Sequence, residues 1–218
     1  MIETKDIILK VKDALAKNNK KKFSQSVDLS IGLKGVDLKN PNNAIDELVA
    51  LPKGKGKQVK VCALIDKELQ TVAKNLCYKV ILVDEFPKWK DNVKGMKKLA
   101  NECDMFIAQS TIMPKIAQTF GRILGPRNKM PSPKTGTIVL PSSKLDNLID
   151  RLTKSVFLRA KKAPSINVIV GTEKMTPEDI SANVFAVLDF LVRHLPEKEQ
   201  SIKHVYIKTT MGESVKIM

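Results

Sequence analysis

Apolar positions return at helical spacing at the start of the chain. Ile7, Ile8, Val11 and Leu15 share one face behind Thr4, a residue type suited to capping, which predicts an amphipathic helix over residues 4–18. The pattern then changes period. Phe23, Gln25, Val27, Leu29, Ile31 and Leu33 alternate with Ser24, Ser26, Asp28, Ser30 and Gly32, the period of two of a strand with one buried face. A break at Asn40-Pro41-Asn42-Asn43 precedes a second strand over residues 44–51. Further on, residues 59–65 and 79–83 are near-continuous apolar runs, separated by Leu69, Val72, Ala73 and Leu76 on one helix face. Helices over 90–101 and 113–124 bracket a third run at 104–108. Buried strands alternating with helices predict a parallel, doubly wound sheet. Ser142 or Ser143 caps a helix through Leu145, Leu148, Ile149 and Leu152.

After Thr153 the earlier style returns. Residues 155–160 and 166–170 read as strands, and Thr176-Pro177-Glu178-Asp179 is a helix start with a hydroxyl cap, proline in the first turn and acids beside it. That helix turns Ile180, Val184, Val187, Leu188 and Leu191 inward. Val205 and Ile207 then alternate into Thr209-Thr210-Met211-Gly212, and Val215 and Ile217 resume the alternation. The expected architecture is an α+β domain, residues 1–58 and 155–218, interrupted by an α/β Rossmann-like domain with a parallel sheet, residues 59–154. Lys53-Gly54-Lys55-Gly56-Lys57 stands at the first crossing, and its composition suits a hinge centred on Gly54 and Gly56.

Charge narrows the function. The 218 residues carry a net charge of +15, which calls for a polyanionic partner, nucleic acid first. An apolar stretch of the ~18 residues that span a bilayer is missing, and the N-terminus lacks a signal-peptide core, so a soluble, cytoplasmic chain without a membrane partner is expected. Cys62, Cys77 and Cys103 are widely spaced, and His194 and His204 form no ligand pattern, so neither disulfides, a metal site nor a cofactor is suggested. The nucleotide fingerprints GxGxxG and GxxxxGK[ST] are both absent, and no serine or threonine follows Lys57 to hold magnesium. No catalytic pairing of side chains stands out, which leaves binding.

Three places carry chemistry suited to an anion. FGRILGPRNKMPSPKTGT, residues 120–137, turns repeatedly at glycine and proline while presenting Arg122, Arg127, Lys129 and Lys134, with no acid between Asp104 and Asp146. Such a loop either binds an anion or is a solvated connection. Lys20 to Phe23 places cations before an aromatic residue that either stacks on a base or starts a core face. Thr209 to Gly212 offers hydroxyls and an open backbone, for a 2′-hydroxyl or for an ordinary turn.

Taken in order, KKKF before an alternating strand, LPKGKGKQVKV, GRILGPRNKMPSPKTGT, VGTEKM and YIKTTMG resemble the large-subunit stalk protein family of the ribosome, in its archaeal and eukaryotic form, over essentially the whole chain. The resemblance implies a non-enzymatic protein of the large ribosomal subunit that binds large-subunit ribosomal RNA at the mobile stalk. It also implies assistance in the release of exit-site tRNA, repression of the protein's own mRNA, and a monomer off the ribosome. The family's main RNA surface falls on Lys22, Phe23, Ser26, Thr209, Thr210, Met211 and Gly212, leaving the loop with Arg122, Arg127, Lys129 and Lys134 secondary and mainly structural. Glu213 replaces a frequent proline and Asn128 a common glycine. The alternatives from other classes are an RNA-binding regulator outside the ribosome and a nucleotide-binding enzyme.

Overall fold

The computed structural model describes residues 4–17, 21–36, 45–140, 145–160, 163–195 and 198–218. The expected strand break at 40–43, the helix cap at Ser142 or Ser143, and Lys20 lie outside them. The chain divides into two compact units, residues 1–57 with 152–218, and residues 58–151.

In the first unit α1 (Thr4–Ala16) precedes β1 (Ser26–Leu33), which pairs antiparallel with both β8 (Ser165–Thr172) and β9 (Ile202–Thr209); β10 (Val215–Lys216) completes the order β10-β9-β1-β8. A separate antiparallel pair joins β2 (Ile45–Ala50) to β7 (Ser155–Ala160). Period-two alternation turns Val27, Leu29 and Ile31 of β1 inward with Val168 and Val170 of β8 and Val205 and Ile207 of β9. Against them lie Ile7, Val11 and Ala14 of α1 and the apolar stripe of α7 (Pro177–His194). Burying each such aliphatic side chain stabilises the fold by roughly 1.5–3 kcal/mol. Thr176 caps α7 as its sequence suggests, accepting from Asp179 N at 3.2 Å.

One end of the alternating run departs from expectation. Strand β1 starts at Ser26; Phe23 is 53% exposed while Gln25 is fully buried. Phe23 therefore does not begin the core face.

The second unit is a parallel sheet in the order β4-β3-β5-β6: β3 (Val61–Ile65), β4 (Lys79–Leu82), β5 (Met105–Gln109) and β6 (Ile138–Val139). Helix α2 (Gln70–Leu76) connects β3 to β4. Helices α3 (Phe86–Asp91) and α4 (Val93–Glu102) lead to β5, and α5 (Met113–Leu124) to β6. Several expectations change here. The strand expected over 79–83 is a sheet edge, and within β4 only Ile81 is buried; Val72 and Leu76 of α2 are exposed. The helix expected over 90–101 is two, broken at Asn92, whose side chain turns back to accept from Gly95 N at 2.8 Å and so starts α4. The helix expected over 113–124 is α5 with those bounds, so the first residues of the Gly/Pro-rich stretch, through Leu124, are helical, with Phe120, Ile123 and Leu124 on its buried face. Helix α6 (Leu145–Thr153) leads back to β7.

The sheet order puts the topological switch point between β3 and β5, where doubly wound folds bind nucleotides beyond the strand ends. Here Gln109, 2% exposed, closes that gap by accepting from Asp66 N at 2.9 Å, and Asp66 itself accepts from Lys67 N at 2.8 Å. An acidic turn stands where a phosphate-binding glycine turn would be.

Candidate nucleic-acid interface

Because β8 and β9 both run antiparallel to β1, the start of β1 and the ends of its two neighbours share one end of the sheet: Val27 faces Thr209 and Ser26 faces Thr172. Lys22, Phe23, Ser26, Thr209, Thr210, Met211 and Gly212 all belong to that end. Thr210 N donates to Ser26 O at 3.1 Å, and Ser26 N donates to Thr210 Oγ1 at 3.1 Å. The same hydroxyl donates to Ser26 O at 3.3 Å. The Thr210 hydroxyl is thus committed to extending the β1–β9 ladder, with one lone pair to spare for an incoming donor.

Gln25 fixes the rest. Buried at a position whose alternating neighbours are apolar, it accepts from Met211 N at 2.9 Å through Oε1 and from Glu173 N at 3.0 Å through its carbonyl. One residue thereby sets the turn after β9 and the turn after β8. Phe23 and Met211 are 53% and 57% exposed, and both belong to this same end of the sheet. Lys22 is exposed beside Phe23, and Lys57 Nζ donates to Ser26 Oγ at 2.6 Å.

Gly212 is required by packing. Its φ is not in the left-handed region, yet a Cβ there would overlap Oγ1 of the fully buried Thr209. The glycines expected to form a hinge are fixed in the first unit. Gly54 and Gly56 both have φ of 66°; buried Asn183 accepts from Lys53 N at 3.0 Å and donates to Gly54 O and Val170 O, each at 2.8 Å. A Cβ on Gly56 would come within 2.7 Å of Thr172 Oγ1.

The basic loop of the second unit is built otherwise. Arg127 donates to Lys97 O at 3.1 Å and to Asn101 Oδ1, while Lys129 Nζ donates to Ala100 O at 2.8 Å and Cys103 O at 2.7 Å. For these two cations the expected anion is the carbonyl-rich C-terminal end of α4. Arg122 and Lys134 remain exposed. Ser132, Thr135 and Thr137 tie the following turn through hydroxyls, with Thr135 Oγ1 and Thr137 Oγ1 2.9 Å apart. The described residues hold no cluster of three or more His, Cys, Asp or Glu able to bind a metal, and none of their helices is long and apolar enough to cross a membrane. Burial pushes the Cys77 thiol up to about 11.

The ribosomal protein L1p/L10e family model matches residues 15–213. The chain belongs to that family. It is 40% identical over 217 residues to the large ribosomal subunit protein uL1 of Methanobrevibacter smithii, covering 99% of this chain and all of that protein. It is also 39% identical over 212 residues to that of Pyrococcus abyssi, covering 97% and 94%. These are ribosomal proteins and not enzymes. Asn128 and Glu213 each have a structural setting. Asn128 has φ of 55°, the left-handed conformation that glycine adopts freely and asparagine tolerates better than most residues. Glu213 lies 3.8 Å from Lys17 Nζ.

Gln25, Lys57, Asn183 and the 172–175 turn shape this candidate surface, and the sequence reading gave them no part in it. For Gln25 and Asn183 a signal existed, since each is a polar residue at a position whose periodic neighbours are apolar.

Proposed function

We propose that this chain is a structural protein of the large ribosomal subunit, binding large-subunit ribosomal RNA at the mobile stalk through the β1–β9 end of the sheet in its first unit. The supporting observation is that the strand pairing puts exposed Phe23 and exposed Met211, the latter with its N–H held by Gln25, at the same end of the sheet as Lys22 and Lys57. Phe23 stacks on a base or ribose, the lysines neutralise phosphates, and the spare lone pair of the Thr210 hydroxyl accepts from a 2′-OH. Movement of the stalk then assists release of deacylated tRNA from the exit site. Presenting the same fold to a similar structure in its own mRNA represses translation. The basic loop at 121–136 serves mainly the second unit's own packing.

The test is filter binding to large-subunit RNA against an unrelated RNA of equal length, at one salt concentration, for wild type, Phe23→Ala with Met211→Ala, and Arg122→Ala with Lys134→Ala. The first pair is expected to lose the preference for large-subunit RNA; the second is expected to keep it and lower affinity for both RNAs. The reverse pattern would move the interface to the second unit. Sequencing RNA that copurifies with the tagged chain separates the ribosomal role from regulation outside the ribosome.

A further inference from the structure

The face of the four-stranded sheet opposite the helices is open, and register fixes what it displays. Successive rows across β8, β1 and β9 read Ile169–Asp28–Lys208, Asn167–Ser30–Tyr206 and Ser165–Gly32–His204. Side chains shrink along β1 from Asp28 to Ser30 to Gly32. His204 lies directly over Gly32, where any Cβ would overlap its ring, and its centroid is 5.2 Å from that of Tyr206. A trough results, walled on the β9 side by an aromatic ridge. Beyond it, across all three strands, lies an open cavity of about 400 Å³ lined by Asp28, Ser30, Asn167, Val168, Ile169 and Lys208.

Asp28 is the odd member. In a chain of net charge +15, it places a carboxylate one turn of alternation from Ser26, on the same face and beside the proposed RNA-binding end. Burial pushes its carboxyl up, and Lys208 and Lys57 draw it back only in part. Lys57 donates one of its three ammonium N–H groups to Ser26 Oγ. For binding phosphates alone this acid is a hindrance; for reading a base it is an acceptor with two oxygens. Among RNA bases, guanine presents two adjacent donors, N1–H and N2–H, on its Watson–Crick edge, the match for a carboxylate.

We infer that this cavity receives one unpaired guanine of the bound RNA, with Asp28 accepting its Watson–Crick N–H groups, Ser30 and Asn167 bonding its remaining edge, Ile169 against its ring, and Lys208 and Lys57 on the flanking phosphates. The inference rests on the RNA reading above. The surface is continuous with the proposed RNA-binding end through Ser26, and its cations complement the RNA backbone.

The test uses the full chain and a large-subunit RNA fragment that the wild-type protein retains from a ribosomal RNA digest. Asp28→Asn removes a negative charge near phosphates, so electrostatics alone predicts tighter binding. A lost base contact predicts binding weaker by about tenfold with an unchanged salt slope. Inosine, which lacks the N2 amino group, is then placed at single unpaired guanosines. One position is expected to weaken wild type and to have no further effect on Asp28→Asn. Asn167→Ala, which leaves charge untouched, is expected to weaken binding severalfold. Equal or tighter binding by Asp28→Asn, or inosine effects that persist in it, overturns the proposal. If Phe23→Ala with Met211→Ala still loses specificity in that case, the cavity alone is refuted; if it does not, the proposed RNA-binding end fails as well.

Discussion

Substituting Gly212 by alanine introduces one methyl group, and the structure says where it goes: into Oγ1 of Thr209, a residue with no exposed surface, at the point where β9 becomes the turn. Backbone strain is not the cost, because φ at Gly212 is not positive. Overpacking is, at about 1–3 kcal/mol. Thr209 Cβ lies 3.5 Å from the added atom, an ordinary contact, so removing the hydroxyl by Thr209→Ala relieves the collision. The two substitutions should therefore couple. Urea unfolding of wild type, both single variants and the double variant is expected to give a coupling of about 1–2 kcal/mol in favour of the double variant, with unchanged m values. The same displacement moves Met211, whose N–H is held by Gln25, so Gly212→Ala is also expected to lower affinity for large-subunit RNA and Thr209→Ala to restore part of it. Additive stabilities would refute the argument that glycine is present to make room for Thr209.

Lys129→Met strips the last turn of α4 of its charged donor to two carbonyls and is expected to cost roughly 1.5–3 kcal/mol in chemical unfolding, with the salt slope of RNA binding unchanged; unaltered stability with a slope lowered by about one would make Lys129 a phosphate contact instead. At Asn128, φ of 55° predicts that Asn128→Gly is neutral to stabilising while Asn128→Ala costs about 1 kcal/mol, read as a shift in melting temperature. Asp28 has a carboxyl raised by burial, so its charge opposes folding at pH above the raised value, and that penalty fades as pH falls below the ordinary carboxylate range. Asp28→Asn is therefore expected to be more stable than wild type at neutral pH, with the difference disappearing in acid; a difference constant across pH would argue against the burial cause. Replacing residues 59–154 by a short glycine linker is expected to leave a folded domain, checked by circular dichroism and cooperative unfolding, that still prefers large-subunit RNA.

Periodicity carried most of the architecture. Alternation over 27–33 and 202–209 and the helical stripe of α7 are written in side-chain type, because a strand buries every second residue and a helix every third or fourth. The run of buried strands and helices between them likewise implied a parallel sheet. The resemblance, in turn, implies one RNA surface for Lys22, Phe23, Thr210, Met211 and Gly212, and strand pairing puts their two segments at the same end of the sheet.

What periodicity lacks is any record of which strand lies at an edge or what a polar atom meets. Lys79 to Leu82 reads as a buried strand, yet it has a neighbour on one side only, so most of its side chains stay partly or fully exposed. Arg127 and Lys129 look like free cations because the carbonyls that hold them come from α4, some 26 to 30 residues away in the chain. Gln25 is silent until β8 and β9 arrive on either side of β1 and leave two turns in need of an acceptor. The row Ile169–Asp28–Lys208 exists only through the register of strands more than 100 residues apart in sequence. Local pattern decides which face of an element turns inward; only the packed chain decides what that face, or the opposite one, is set against.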